Sequence, residues 1–152
     1  MKYCHSIKIT VFSYEDEDYA KVHDSLLKLF LFSLEENEIQ LKKTSAEGFS
    51  DRKIVILEVM LSKEKLVNAF LKNFLEKLTK QQKEVLIEQA ESRLDENLDF
   101  FVRIDKNYWI EFSKMELTDS GKCFHIRMSI ATFPKKRENA LKVVKELFGC
   151  EF

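Results

Sequence analysis

The stretch Leu98–Arg137 reads LDFFVRIDKNYWIEFSKMELTDSGKCFHIRMSIATFPKKR, and its alternation decides the fold. In Cys123–Phe133 the apolar residues Phe124, Ile126, Met128 and Ile130 fall on even positions, with His125, Arg127 and Ser129 between them. Successive side chains of a strand point to opposite faces, so this pattern predicts a strand with one face on a core and one face open. Phe100–Asp105 predicts a second strand, with Phe100, Val102 and Ile104 inward and Phe101 and Arg103 outward. Tyr108–Phe112 predicts a third, with Tyr108, Ile110 and Phe112 inward and Trp109 and Glu111 outward. One sheet holding all three would carry Phe101, Arg103, Trp109, His125 and Arg127 on its open face. Aromatic rings mixed with guanidinium groups can stack on unpaired bases and hold phosphates. Such a face is a binding surface and supplies no argument for catalysis.

Upstream, Ser6–Ser13 alternates around Ile7, Ile9 and Val11 and predicts a first strand. Glu15-Asp16-Glu17-Asp18 then opens a helix, because carboxylates complement the free N–H groups and the positive dipole end of a first turn. A metal site is the other reading of such an acidic run. The helix is expected to reach Leu34, with Val22, Leu26, Leu29 and Phe30 on one face. Ile39–Thr44 and Lys53–Leu61 are the next strands, joined by SAEGFSDR. Ser62 is placed to cap the helix that follows. Leu66, Phe70, Phe74 and Leu78 form an i, i+4 stripe that faces a core. Thr79-Lys80-Gln81-Gln82 has the spacing of a capping box and opens a third helix, with Val85, Leu86, Ala90 and Leu94 inward. Asp119-Ser120-Gly121 makes a hairpin turn before the last strand. Pro134 opens a final helix ending near Phe148, with Gly149 as its C-terminal cap. The order is strand, helix, two strands, two helices, three strands, helix. Consecutive strands pair antiparallel, so the expectation is an α+β fold with an antiparallel sheet of five to six strands and helices mainly on one face. One domain over residues 1–152 fits this length, and neither repeats nor low-complexity tracts interrupt it.

Composition narrows the function. The formal net charge of −1 argues against a general nucleic-acid coat protein, which would be strongly basic, so any nucleic-acid site must be a local patch. Three Gly and one Pro leave little room for glycine-rich phosphate loops. Cys4, Cys123 and Cys150 are odd in number and contain no CxxC, which argues against a disulfide framework or a zinc site and favours the cytoplasm. MKYCHSIKITVF lacks the apolar core of a signal peptide, and the apolar run Leu26–Leu34 is too short to span a bilayer. No GxSxG-type nucleophile turn occurs, and His5, His23 and His125 lack ligand spacing. The expectation is a protein with no cofactor, no metal, no membrane association and no catalysis of its own.

The final helix carries one anomaly. Lys135, Lys136 and Arg137 are expected in its first turn, where cations oppose the dipole, and Phe133 before Pro134 has no side-chain acceptor for the free N–H groups. That makes a candidate anion site for RNA phosphate. A solvated basic turn is the alternative.

The runs VRIDKNYW, MELTDSG and HIRMSIATFPKKRE, with the opening HSIKITVFSYEDED, resemble the archaeal RNA-binding family described as predicted exosome subunits, whose fold is related to ribosomal protein L5. The resemblance spans nearly the whole chain in the same order. Asn107 and Tyr108 stand where that family has small residues after its Asp-Lys turn, and its Gly-rich turn is reduced near Gly48 to EGFSD. The resemblance implies an RNA partner, with RNA-processing proteins as further partners. It adds Lys106, at the Asp-Lys turn, to the phosphate contacts Lys135, Lys136 and Arg137. The second reading is a protein-interaction or homodimerisation module in which outward Phe101 and Trp109 anchor an interface.

Overall fold

The computed structural model describes residues 2–47 and 52–149. Its strands are Cys4–Tyr14 (β1), Leu41–Glu47 (β2), Lys53–Leu61 (β3), Asp99–Asp105 (β4) and Cys123–Ile130 (β5). They form one five-stranded antiparallel sheet in the order β2-β3-β1-β5-β4. The helices are Tyr19–Leu27 (α1), Glu64–Lys77 (α2), Lys80–Glu88 (α3), Ala90–Arg93 (α4), Lys106–Phe112 (α5) and Arg137–Gly149 (α6). The α+β expectation therefore holds, with five strands.

By contacts the chain divides into two compact units. The first comprises the described residues of Met1–Ile7, Leu61–Val102 and Arg127–Phe152. Its core takes the whole stripe Leu66, Phe70, Phe74 and Leu78, with Phe70 and Phe74 stacked at 5.7 Å. Phe100 of β4 meets Phe148 of α6 at 5.5 Å. The capping box at Thr79 is complete: Gln82 N–H donates to Thr79 Oγ1 at 3.1 Å, and Thr79 N–H donates to Gln82 Oε1 at 2.9 Å. Ser62 does not cap α2. Lys63 holds the cap position without a side-chain bond. Leu86, Ala90 and Leu94 are buried as expected, whereas Val85 is exposed.

The second unit comprises the described residues of Lys8–Met60 and Arg103–Ile126. Ile9 and Val11 of β1, Leu57 and Val59 of β3, and Phe124 and Ile126 of β5 are fully buried. Burying the even positions of β5 fixes its register, since a slip of one residue would turn His125 into the core. Asp18 is the N-cap of α1, accepting from Ala20 N–H at 3.1 Å, so only the last residue of the acidic run acts as a cap. The helix stops at Leu27 instead of reaching Leu34. Leu29 and Phe30 N–H bond three residues back, to Leu26 and Leu27, which tightens the chain out of the α-helix while Leu29, Phe30 and Leu34 stay buried.

The largest correction is at Tyr108–Phe112, which is helical. Asp105 Oδ1 accepts from Tyr108 N–H at 2.9 Å, capping α5, and Ser113 ends it in the left-handed region at φ 54°. The two are helix signals that a five-residue alternation cannot outweigh. The turn at Asp119–Gly121, with Gly121 at φ 85°, leads into β5 from a segment that touches β4 through the bridge Ile104↔Leu117. It does not close a hairpin from Tyr108–Phe112. Helix α6 begins at Arg137, three residues after Pro134, and runs through Gly149 rather than stopping before it. The expected turn at Gly48 and Cys150 lie outside the described residues.

Candidate nucleic-acid interface

In the second unit, β1 alternates between buried Ile9, Val11 and Ser13 and the half-buried Thr10, Phe12 and Tyr14. The same rule that buries one set turns Phe12 and Tyr14 to the open side. There the Phe12 ring lies 6.1 Å from the His125 ring at an interplanar angle of 39°. Tyr14 meets Phe12 edge-on at 6.4 Å. Arg103 is exposed on β4, and its Nη1 donates to the Asp119 carbonyl at 3.0 Å. Burial pushes the His125 pKa below its ordinary 6.5, and the nearby Arg103 charge pushes it further the same way, so the ring is neutral at pH 7. Its Nε2 lies 3.5 Å from Cys123 Sγ. Burial also raises the Cys123 thiol pKa above 9.0, against the Arg103 charge, so this sulfur stays protonated.

Lys106 corrects the expectation of an exposed phosphate contact. Only 1% of its surface is accessible. Its Nζ donates to Glu17 Oε1 at 2.6 Å and to the Phe12 carbonyl at 2.7 Å, and sits 4.9 Å from the Tyr14 ring centre. Burial pulls the ammonium pKa down and the Glu17 carboxylate holds it up. Glu17 also accepts from Tyr14 N–H at 3.0 Å and faces Lys122 Nζ at 3.9 Å. Lys106 is thus a brace that fixes the strand end carrying Phe12 and Tyr14. The exposed cation of this corner is Lys122, 5.2 Å from the Tyr14 ring centre.

Trp109 is the second correction. It is 3% exposed, and its indole N–H donates to the Ser25 carbonyl at 2.8 Å, tying α5 to α1. A residue expected outward on a strand becomes the inward residue of a helix, because the change of period re-aims it. Phe112, expected inward, is 53% exposed for the same reason. A cleft of about 680 Å³ between α1 and α5 is lined by Lys21 and Lys28 but also by Asp24 and Glu111, so its charges offset each other.

In the first unit, Phe101 is exposed and Arg127 half-buried, both on the outward positions expected for them. Lys135 and Lys136 are exposed but precede α6. Arg137 is otherwise engaged. Its Nη2 donates to the Glu91 carbonyl at 2.6 Å and its Nη1 to the Leu94 carbonyl at 3.0 Å. These carbonyls belong to the α4 turn, so the guanidinium acts as a C-terminal cap. Phe12, Tyr14 and Lys122 were not among the residues singled out in the sequence. Alternation carried one position further along β1 identifies the two rings, whereas no local signal marks Lys122.

Among the described residues, no group of three or more His, Cys, Asp or Glu side chains is arranged to hold a metal ion. Nor is any of their helices long and apolar enough to cross a membrane.

Residues 6–131 match the family described as RNA binding. The chain belongs to this RNA-binding family. An RNA-binding protein of Pyrococcus abyssi is 27% identical over 142 residues, covering 93% of this chain and 92% of its own. The crystal structure of a DUF54 protein from Archaeoglobus fulgidus superposes with a TM-score of 0.83 at 28% identity, over 95% of this chain and 99% of that one. A DUF54 protein from Methanothermobacter thermautotrophicus gives 0.78 at 25% identity, over 96% and 98%. The match thus covers β2 to β5, β1 from its third residue onward, and the two corrected residues, Lys106 and Trp109.

Proposed function

We propose that this chain is a non-catalytic RNA-binding protein of the cytoplasm that acts beside RNA-processing proteins, the exosome among them. Kinship with ribosomal protein L5 belongs to the same proposal. The observation that carries RNA binding, beside the family, is the open side of the strands. Arg103 lies there with His125 and Phe12 in one unit, and Phe101 with Arg127 in the other. With a net charge of −1 the chain offers no general attraction for RNA, so these local cations must supply it. Lys135 and Lys136 add exposed charge before α6, while the side chains of Lys106, Trp109 and Arg137 are engaged within the fold.

RNA affinity measured at several salt concentrations tests this. Wild type should weaken steeply as salt rises, because bound phosphates release counterions. Arg103→Ala with Arg127→Ala should flatten the slope of log affinity against log salt by about 1.4, from the single-strand value of about 0.7 per phosphate. An unchanged slope moves the site elsewhere, and no binding at low salt rejects the reading. The interaction-module alternative needs exposed Phe101 and Trp109 as anchors, and burial of Trp109 removes one of them.

A further inference from the structure

We infer that the RNA held by this surface is single-stranded, with two of its unpaired bases lying on the rings of Phe12 and His125. This rests on the RNA-binding reading and adds the form of the RNA and the residues that choose it. The two rings come from adjacent strands, β1 and β5, and are half-buried, each set into the sheet with part of its surface open. Their ring centres are 6.1 Å apart and their planes are tilted by 39°. Neighbouring rings on an open sheet face take splayed bases one by one. A duplex offers no such partner. Its bases stack on one another at about 3.4 Å and leave no free face for a protein ring.

The surroundings favour Phe12 and His125 over the third ring. Tyr14 already has the Lys106 ammonium at 4.9 Å and the Lys122 ammonium at 5.2 Å from its centre, and it packs against Phe12 in a T-shaped contact at 6.4 Å. Tyr14 therefore positions Phe12. The Lys106 bond to the Phe12 carbonyl fixes the backbone beneath the same ring. A ring held from two sides loses little freedom when a base settles on it. Arg103 and Lys122, both exposed and within this unit, supply positive charge for the connecting phosphates. His125 is neutral at pH 7, so its ring offers a π-face instead of a second point charge. Stacking of this kind reads unpaired bases with little sequence preference, since every base has a π-face.

The test uses fluorescence polarisation of the full chain with dye-labelled oligouridine, oligoadenosine and a blunt RNA duplex of equal length. Wild type should bind both single strands at least about tenfold more tightly than the duplex, and oligoadenosine at least as well as oligouridine. Phe12→Leu keeps apolar bulk but removes the ring, and His125→Ala removes the second ring. Each should weaken single-strand binding about tenfold while leaving the salt slope unchanged, because no phosphate contact is lost. Phe12→Tyr and His125→Phe should retain the affinity, which a merely structural role for these positions would not require. Far-UV circular dichroism checks that each variant is folded. Equal or tighter binding of the duplex overturns this inference alone, as does wild-type affinity in folded Phe12→Leu and His125→Ala. No binding of any probe at low salt overturns the RNA-binding reading and this inference with it.

Discussion

Glu17→Gln should be among the most damaging single substitutions on the strand side of the second unit. It leaves the Lys106 ammonium in place with 1% of its side chain accessible but removes the negative charge 2.6 Å away. Removing one partner of a buried ion pair costs about 3–5 kcal/mol, because the other charge is left uncompensated. The low end applies here. Gln still offers an oxygen, the Phe12 carbonyl still accepts at 2.7 Å, and Glu17 keeps 13% exposure. A loss of about 3 kcal/mol corresponds to roughly 6–12 °C in Tm for a chain of this size. Lys106→Met removes the buried charge instead. It strands the Phe12 carbonyl, at about 1–3 kcal/mol, but leaves Glu17 facing Lys122 at 3.9 Å. The double variant should then be more stable than the sum of the single losses, with a coupling of about 1–3 kcal/mol. Thermal unfolding and urea denaturation at pH 7, both followed by far-UV circular dichroism, give Tm and free energy for all four corners of the cycle. A drop of less than about 2 °C for Glu17→Gln, or strict additivity, would refute the claim that this pair is a coupled, buried brace.

Three further outcomes follow from the same geometry. Trp109 fluorescence should be blue-shifted and nearly insensitive to iodide, and Trp109→Phe should cost about 1–3 kcal/mol through the Ser25 carbonyl left without its donor; ready quenching in folded protein would contradict the burial. Arg137→Ala should lower thermal stability by stripping carbonyl partners from the α4 turn, whereas Lys135→Ala with Lys136→Ala should leave stability unchanged and flatten the salt dependence of RNA affinity; equal melting curves for the two variants would remove the capping role. His125 has a folded-state pKa below its ordinary 6.5, so the unfolded chain binds the proton more readily and stability should fall as pH drops from about 6.5 towards the folded pKa. Subtracting the stability–pH curve of His125→Phe should isolate that loss, and identical curves would deny the shift.

What was legible in the sequence followed the length of the pattern. Long runs were read correctly: the buried sets of β1 and β5 and the α2 stripe all lie where periodicity puts them. Tyr108–Phe112 was misread because five residues satisfy either period, and the deciding feature was the Asp105 cap in front of them. The open face was half legible. Phe101, Arg103, His125 and Arg127 came from alternation, and Phe12 and Tyr14 obey the same rule on a strand whose inward set alone had been considered. Lys106 was beyond local reading, since its partner Glu17 lies 89 residues away in the chain. A buried lysine and a surface lysine look the same until a distant carboxylate is brought within 3 Å. That pairing also gives the Asp-Lys turn, one of the features behind the family resemblance, a physical meaning. Asp105 builds the helix that carries Trp109 inward, and Lys106 fastens the carbonyl of Phe12. Neither needs to touch RNA for the turn to matter to RNA binding: loosening it would move the ring on which a base is proposed to rest, while leaving every exposed cation in place.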